Sequence, residues 1–334
     1  MTQTAAREKP VRPDLFLVGA PKCGTTAMAH YLSSHPDFFM GRKEMHFFGS
    51  DLRFGRGFYR RSLAGYLREF EGWNGQLRIG EASVWYLFST QAAAEIKAFN
   101  PEARILIMLR DPVEMLHSLY CYFLYDGNEF LPSFAEALAA EPERKAGRRL
   151  ARRSYFPQGL AYRETVRYAA QVARYYEVFG RERVRVVLYD DFAADPARVC
   201  RETVEFLGLD PARLGPHFEV VNGARSVRSP MFQAVLGDPW VRSAVLALRP
   251  CVPGAVFRGL QRAEARLRKL NARVAPRTSL DPLLRDALRQ EFAGQNAELG
   301  RLIGRDLGAW GEAGAGARSA GGLPVWLQEA LAAH

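Results

Sequence analysis

Residues 15–32, LFLVGAPKCGTTAMAHYL, decide the fold. Leu15, Phe16, Leu17 and Val18 form the short continuous apolar run expected of a strand buried on both faces, and Gly19 breaks it. A turn follows. Beyond Thr25, Met28, Tyr31 and Leu32 recur at helical spacing, so this segment reads as a helix whose unsatisfied N–H groups point back at the turn. Such an end attracts an anion. The stretch therefore predicts a strand, a phosphate-cradling turn and a helix start, with Lys22, Cys23, Gly24, Thr25, Thr26 and Ala27 around the phosphate.

The kind of phosphate follows from a residue that is missing. A nucleoside triphosphate loop of the form G-x-x-x-x-G-K-[ST] needs its Lys directly after the second Gly to reach the outer phosphates, with a hydroxyl behind it for magnesium. Gly19 and Gly24 keep that spacing, but Thr25 stands where the Lys belongs and the lysine, Lys22, lies inside the turn. A second buried run, Ile105 to Leu109, ends in Arg110, and Asp111 follows one residue later. This pattern suits a lone 5′-phosphate with a cationic helper and no obligatory magnesium.

Further β-α units follow. Asp111 is placed to cap a helix that Pro112 opens, and Ser118 falls on it. Val184 to Tyr189 is a third apolar run, and Asp195-Pro196 opens a helix carrying Val199, Thr203 and Phe206 or Leu207 on one face. A helix is predicted from about Pro282 to Ile303, with Leu284, Leu288, Phe292, Leu299 and Leu302 inward. The alternation predicts an α/β fold: one P-loop-like domain with a central parallel sheet flanked by helices.

Three motifs in order, PKCGTTA at 21–27, KEMHFF at 43–48 and LRDPVEMLHSLY at 109–120, resemble the sulfotransferases that use 3′-phosphoadenosine-5′-phosphosulfate (PAPS). The likeness continues through Tyr189-Asp190-Asp191 and GRDLGAW at 304–310, covering roughly residues 12–311, and it is similar above all to bacterial members and to the sulfotransferase domains of heparan-modifying enzymes. It implies a sulfotransferase fold, PAPS as co-substrate with 3′-phosphoadenosine-5′-phosphate (PAP) as product, and no metal. By the same resemblance Lys22 neutralises charge on the bridging oxygen, Glu44 accepts the acceptor proton, and His46 orients substrate or handles the proton. Arg110 and Ser118 bind the 3′-phosphate. Tyr189 corresponds to a residue that contacts adenine in some relatives, and Arg225 and Arg228, in NGARSVR at 222–228, fall in a late loop closing over the nucleotide.

Each residue has a plainer reading beside that one. Lys22 reads also as a solvated loop lysine, Glu44 as one half of a surface pair with Lys43 or Arg42, and His46, before Phe47 and Phe48, as a core histidine. Arg110 pairs equally well with Asp111 or Glu114. Residues 44 and 46 would point to the same side of an extended segment. Glu81, in GEAS, is the rival carboxylate for the base role. Relatives that act on glycosaminoglycans often carry Lys after the Glu of this G-E-x-S segment, whereas this chain has Ala82, so a heparan-like acceptor loses support. Carbohydrates, lipids, natural products such as polyketides, and peptides with a free hydroxyl or amine all stay open as acceptors.

At 334 residues, with 48% hydrophobic and 25% charged, the chain can bury one sizeable core. The expected division is a flexible N-terminus over 1–12, the domain over 13–311, and a flexible linker with a short tail over 312–334, where GEAGAGARSAGG has linker composition. MTQTAAREKPVR lacks the apolar core of a signal peptide, and no run approaches 18 uncharged apolar residues, so a soluble, cytoplasmic protein without a transmembrane segment is expected. Four cysteines without a C-x-x-C pair and six histidines without ligand spacing predict neither disulfide nor zinc, and Cys23 reads as a small turn residue and not as a nucleophile.

The net charge of +10 concentrates in 144–153 and 258–273. Nucleic acid is the obvious partner for such charge. In the second stretch, however, Leu260, Ala263, Leu267, Leu270 and Val274 recur at 3–4 spacing, which predicts an amphipathic helix with a solvated basic face. That face packs on the domain, forms a dimer seam, or rests peripherally on an anionic membrane, so nucleic acid is not the expected partner and the oligomeric state stays open. The first stretch is placed to recruit an acidic small-molecule or glycan acceptor. Two other functions fit parts of the pattern: a P-loop nucleotide or small-molecule kinase, and a non-catalytic basic binding module.

Overall fold

The computed structural model describes residues 11–55, 62–151, 154–215, 225–227, 272–274 and 280–311. The chain divides into two compact units, the first holding the described residues of 11–51, 62–110 and 171–215, the second those of 52–55, 111–170 and 225–311.

The first unit is built on five parallel strands: β1 (Leu15–Gly19), β2 (Phe38–Met40), β3 (Arg78–Ala82), β4 (Arg104–Leu109) and β5 (Val184–Leu188). Their order across the sheet is β2-β3-β1-β4-β5, with β1 central. Leu15, Phe16, Leu17 and Val18 are each 0% exposed, which is why the run shows no polar alternation. The chain goes from β1 outward to β2 and back through β3, and then crosses to β4 on the other side of β1. Strand order thus reverses at β1, and in open α/β sheets ligands bind beyond the carboxyl ends of strands at such a point. Phe16 stands opposite Glu81 on one side and Ile105 on the other, so a carboxylate enters the sheet beside its most buried strand.

Helices α1 (Thr25–Leu32), α2 (Ala92–Phe99), α3 (Pro112–Asp126), α4 (Tyr168–Phe179), α5 (Pro196–Phe206) and α6 (Pro282–Ile303) follow in chain order. Three of them start by one device, an Asp-Pro pair. Asp111 accepts from Val113 N–H at 2.8 Å, Asp195 from Arg198 N–H at 2.9 Å and Asp281 from Leu284 N–H at 2.9 Å, while each Pro occupies the first turn, where a missing N–H costs nothing.

In the second unit Leu284, Leu288, Phe292 and Leu299 of α6 are buried and Leu302 is half-buried, so the predicted face is the one used. Arg285 and Arg289 of this helix pair with Glu114 and Asp111 at 3.3 and 3.6 Å. Two expectations change. The third apolar run stops as a strand at Leu188, and Tyr189 opens a short helix, Tyr189–Ala194. Val274 belongs to no helix: Ala272–Val274 pairs antiparallel with Arg225–Val227 as a two-stranded ribbon. The ladder satisfies backbone groups that a helix ending at 274 would have paired along the chain. Residues 258–271, Arg228 and the 312–334 tail lie outside the described residues.

Candidate active site

The turn after β1 is shaped by residues held at positive φ. Gly19 has φ 153°, and a Cβ there would fall 2.7 Å from the Val84 carbonyl oxygen and from Leu87 Cβ, so only glycine allows β1 to pass this close. Lys22 is itself left-handed at φ 63°, and Gly24, at φ 83°, is the N-cap of α1. Cys23 is fully buried and its thiol donates to the Pro21 carbonyl at 3.3 Å, in keeping with a small structural turn residue. Thr25 is buried, Thr26 exposed and Ala27 half-buried.

KEMHFF comes to this turn through Lys43. Its ammonium donates to Thr25 Oγ1 at 2.9 Å and Thr26 Oγ1 at 2.8 Å, and lies 3.8 Å from Glu44 Oε1. Burial lowers the Lys43 pKa, the Glu44 charge pulls it back up, and the nearby Lys22 charge lowers it again; the net direction is down. The Lys43 ammonium therefore lies in the field of a second cation, Lys22. Sequence reasoning passed over Lys43 because it was read only as a surface partner for Glu44.

Glu44 and His46 do meet, with Glu44 Oε2 3.0 Å from His46 Nε2. The route differs from expectation: His46 has φ 47°, so a left-handed residue and not an extended segment turns the ring toward the carboxylate. Burial works against ionisation of Glu44, but the His46 hydrogen bond and charge, Lys43 and the Val84 N–H outweigh it, holding the carboxyl below its ordinary range. Glu44 is thus an anion at neutral pH and can accept a proton.

Glu81, the rival base, is corrected. It is 0% exposed and accepts from Ser83 Oγ at 2.7 Å, Tyr86 OH at 2.8 Å and Tyr66 OH at 2.9 Å. Burial raises its pKa above the ordinary value, and the three hydroxyl bonds and the His46 charge only partly offset this. A carboxylate so enclosed has no face toward an acceptor.

Arg110, at the end of β4, is half-buried with its guanidinium 4.6 Å from the Tyr189 ring centroid. Tyr189 and Phe192 in turn border Gly24, where a Cβ would come within 3.3 and 3.2 Å of them. Arg110 and Tyr189 are therefore neighbours of the turn. Ser118 is buried on α3 in the second unit, so its assignment rests on the resemblance alone. Three of the six basic residues in 144–153 are paired: Arg144 is buried against Glu129 at 2.7 Å, while Lys145 and Arg149 pair with Glu164 and Glu143 at 2.9 and 3.2 Å; Arg152 and Arg153 lie outside the described residues. Among the described residues no group of three His, Cys, Asp or Glu is arranged to hold a metal ion, and no helix is long and apolar enough to cross a membrane.

Comparison with known proteins gives a consistent result. The sulfotransferase domain family matches residues 12–219. A crystal structure of a sulfotransferase from Alicyclobacillus acidocaldarius superposes with a TM-score of 0.64 at 33% identity, over 90% of this chain and 98% of that one. Carbohydrate sulfotransferase 15 of Rattus norvegicus is 28% identical over 252 residues, 60% of this chain and 44% of the relative. Heparan sulfate glucosamine 3-O-sulfotransferase 3B1 of Mus musculus is 28% identical over 206 residues, 62% and 48%. The chain thus spans less than half the length of these two curated relatives.

Proposed function

The chain belongs to the sulfotransferase family, and on that premise we propose that it moves a sulfuryl group from PAPS to a hydroxyl, less readily an amine, of a glycan or other small acceptor. The observation that carries this reading is the double contact of Lys43, which ties the Thr25-Thr26 end of the turn to the Glu44-His46 pair. A donor phosphate and a proton acceptor are then served by neighbouring groups in one unit.

The 5′-phosphate side of the donor binds at the turn, with Lys22 and the first N–H groups of α1 meeting its charge. Gly24 supports the fit, since its φ of 83° suits glycine and a side chain there would press on Tyr189 and Phe192. Glu44 takes the acceptor proton as the acceptor oxygen attacks sulfur, and the bond from sulfur to the bridging oxygen breaks with its electron pair leaving on PAP. Lys22 and Lys43 oppose the charge that grows on that oxygen. Arg110, stacked on Tyr189, is the cation proposed for the 3′-phosphate. The curated relatives, a carbohydrate sulfotransferase and a heparan sulfate glucosamine 3-O-sulfotransferase, support a glycan hydroxyl as acceptor.

Calorimetric titration with PAP, ADP and ATP, with and without magnesium, tests the donor before any acceptor is known. Magnesium-independent PAP binding well above that of ATP is expected, and magnesium-dependent ATP binding would overturn the reading in favour of a kinase. Glu44→Gln should then lower transfer 10²- to 10⁴-fold, the usual range for losing a positioned base, with PAP affinity unchanged.

A further inference from the structure

The segment that carries Glu44 and His46 belongs to no helix beyond β2, and its backbone is held almost wholly by side chains. Six consecutive N–H groups are received in pairs. Those of Met45 and His46 both go to Ser83 Oγ at 3.0 Å, those of Phe47 and Phe48 to Tyr86 OH at 2.8 and 3.3 Å, and those of Gly49 and Ser50 to the Glu95 carboxylate at 2.7 and 3.1 Å. Ser83 and Tyr86 accept two bonds each and donate their single proton to one atom, Glu81 Oε1. A hydroxyl that receives two N–H groups must aim its own O–H elsewhere, and Glu81 supplies the acceptor that fixes that aim. The chain kept in place is one that would not hold itself, since His46 sits at φ 47°.

We propose that Glu81 is a positioning residue which, through Ser83 Oγ and Tyr86 OH, sets the backbone of residues 45–48 and so the Glu44-His46 pair. This rests on the assignment of Glu44 as the base. Tyr66 supplies an internal control, because it donates to the other oxygen, Glu81 Oε2, and receives no N–H from the segment. Gln at 81 keeps an oxygen for Ser83 and Tyr86 and turns its amide toward the Tyr66 hydroxyl, so it preserves the arrangement without a carboxylate.

The test measures conversion of PAPS to PAP with chondroitin sulfate, heparan sulfate and neutral oligosaccharides as acceptors and, separately, with water alone, taking kcat from whichever reaction the parent turns over, alongside PAP affinity and melting temperature. Ser83→Ala and Tyr86→Phe should each lower kcat at least tenfold with the PAP Kd within twofold of the parent, while Tyr66→Phe keeps kcat within about twofold. Glu81→Gln should retain turnover within about threefold, and Glu81→Ala should lose it; where Glu81→Ala does not fold, the two hydroxyl variants decide alone. Parent-like kcat in Ser83→Ala and Tyr86→Phe would overturn the proposal, as would Tyr66→Phe losing as much as they do. Glu81→Gln as inactive as Glu44→Gln would make Glu81 a participant in proton transfer. Full turnover in Glu44→Gln would instead overturn the base assignment, an outcome separate from the others.

Discussion

Two buried carboxylates, one in each unit, are satisfied in opposite ways. Glu129, in the second unit, accepts from the Arg144 guanidinium at 2.7 Å, from Tyr162 OH at 2.9 Å and from the N–H groups of Phe130 and Leu131. Its charge is balanced within one bond length, and Arg144 also donates to the carbonyls of Ala137 and Leu160. Glu81, in the first unit, has three hydroxyls and, among the described residues, no bonded cation. The first arrangement knits the chain into a core; the second passes its hydrogen bonds on to the segment that follows the proposed base, Glu44. A buried charge with its own counter-ion is a structural commitment. One whose bonds lead outward organises a site.

Breaking the balanced carboxylate should produce the largest effect on stability. Arg144→Ala leaves the buried Glu129 without its counter-ion, a loss of about 3–5 kcal/mol on the usual scale for such pairs, read by urea denaturation. A loss below about 1 kcal/mol would show that the ion pair adds little and would erase the contrast with Glu81.

Glu141 lies between the two cases. It is fully buried with Arg163 only 3.6 Å away, and burial raises its pKa to about 7 despite that charge and the Arg163 N–H bond. A carboxyl raised on folding binds its proton more tightly in the native state, so its stabilising contribution is complete below the unfolded pKa and fades as pH rises through about 7. Glu141→Gln should therefore flatten the stability profile between about pH 4.5 and 8, by something on the order of 3 kcal/mol. Denaturation midpoints at pH 4.5, 6 and 8 check this, and an unchanged slope would refute it.

The smallest effect concerns Lys43, the cation beside Glu44. Lys43→Met should weaken PAP binding about tenfold, roughly 1.4 kcal/mol, with little change in melting temperature because the side chain is partly exposed. Unchanged affinity would confine Lys43 to its pairing with Glu44.

Much of the fold was legible because its signals are local. The apolar run at Leu15, the glycine that ends it and the Asp-Pro starts of three helices each act within a few residues, and each appears where its pattern placed it. That Glu44 and His46 stand together was also expected from the sequence, while the roles proposed for Lys22, Glu44 and His46 rest on the resemblance. The role of Lys43 was not legible, since its partners Thr25 and Thr26 are 18 and 17 residues away. Nor was the burial of Glu81: in GEAS the residue reads as one more carboxylate near the site, and only the register of β3 against β1 puts it beside Phe16. The strand expected through Tyr189 failed for a related reason, because a short run such as Val184 to Tyr189 does not say where its ladder partner ends.

By itself, then, the sequence determined the alternation of strands and helices, the anion-attracting turn and the residue types available for sulfuryl transfer, because period, capping and turn chemistry act between near neighbours. Tertiary structure decided which carboxylate stays partly exposed and which is enclosed, and that Lys43 reaches the turn. Those outcomes depend on burial and on hydrogen bonds between segments about 20 to 40 residues apart, and a chain's order of residues carries no measure of either until the strands have paired.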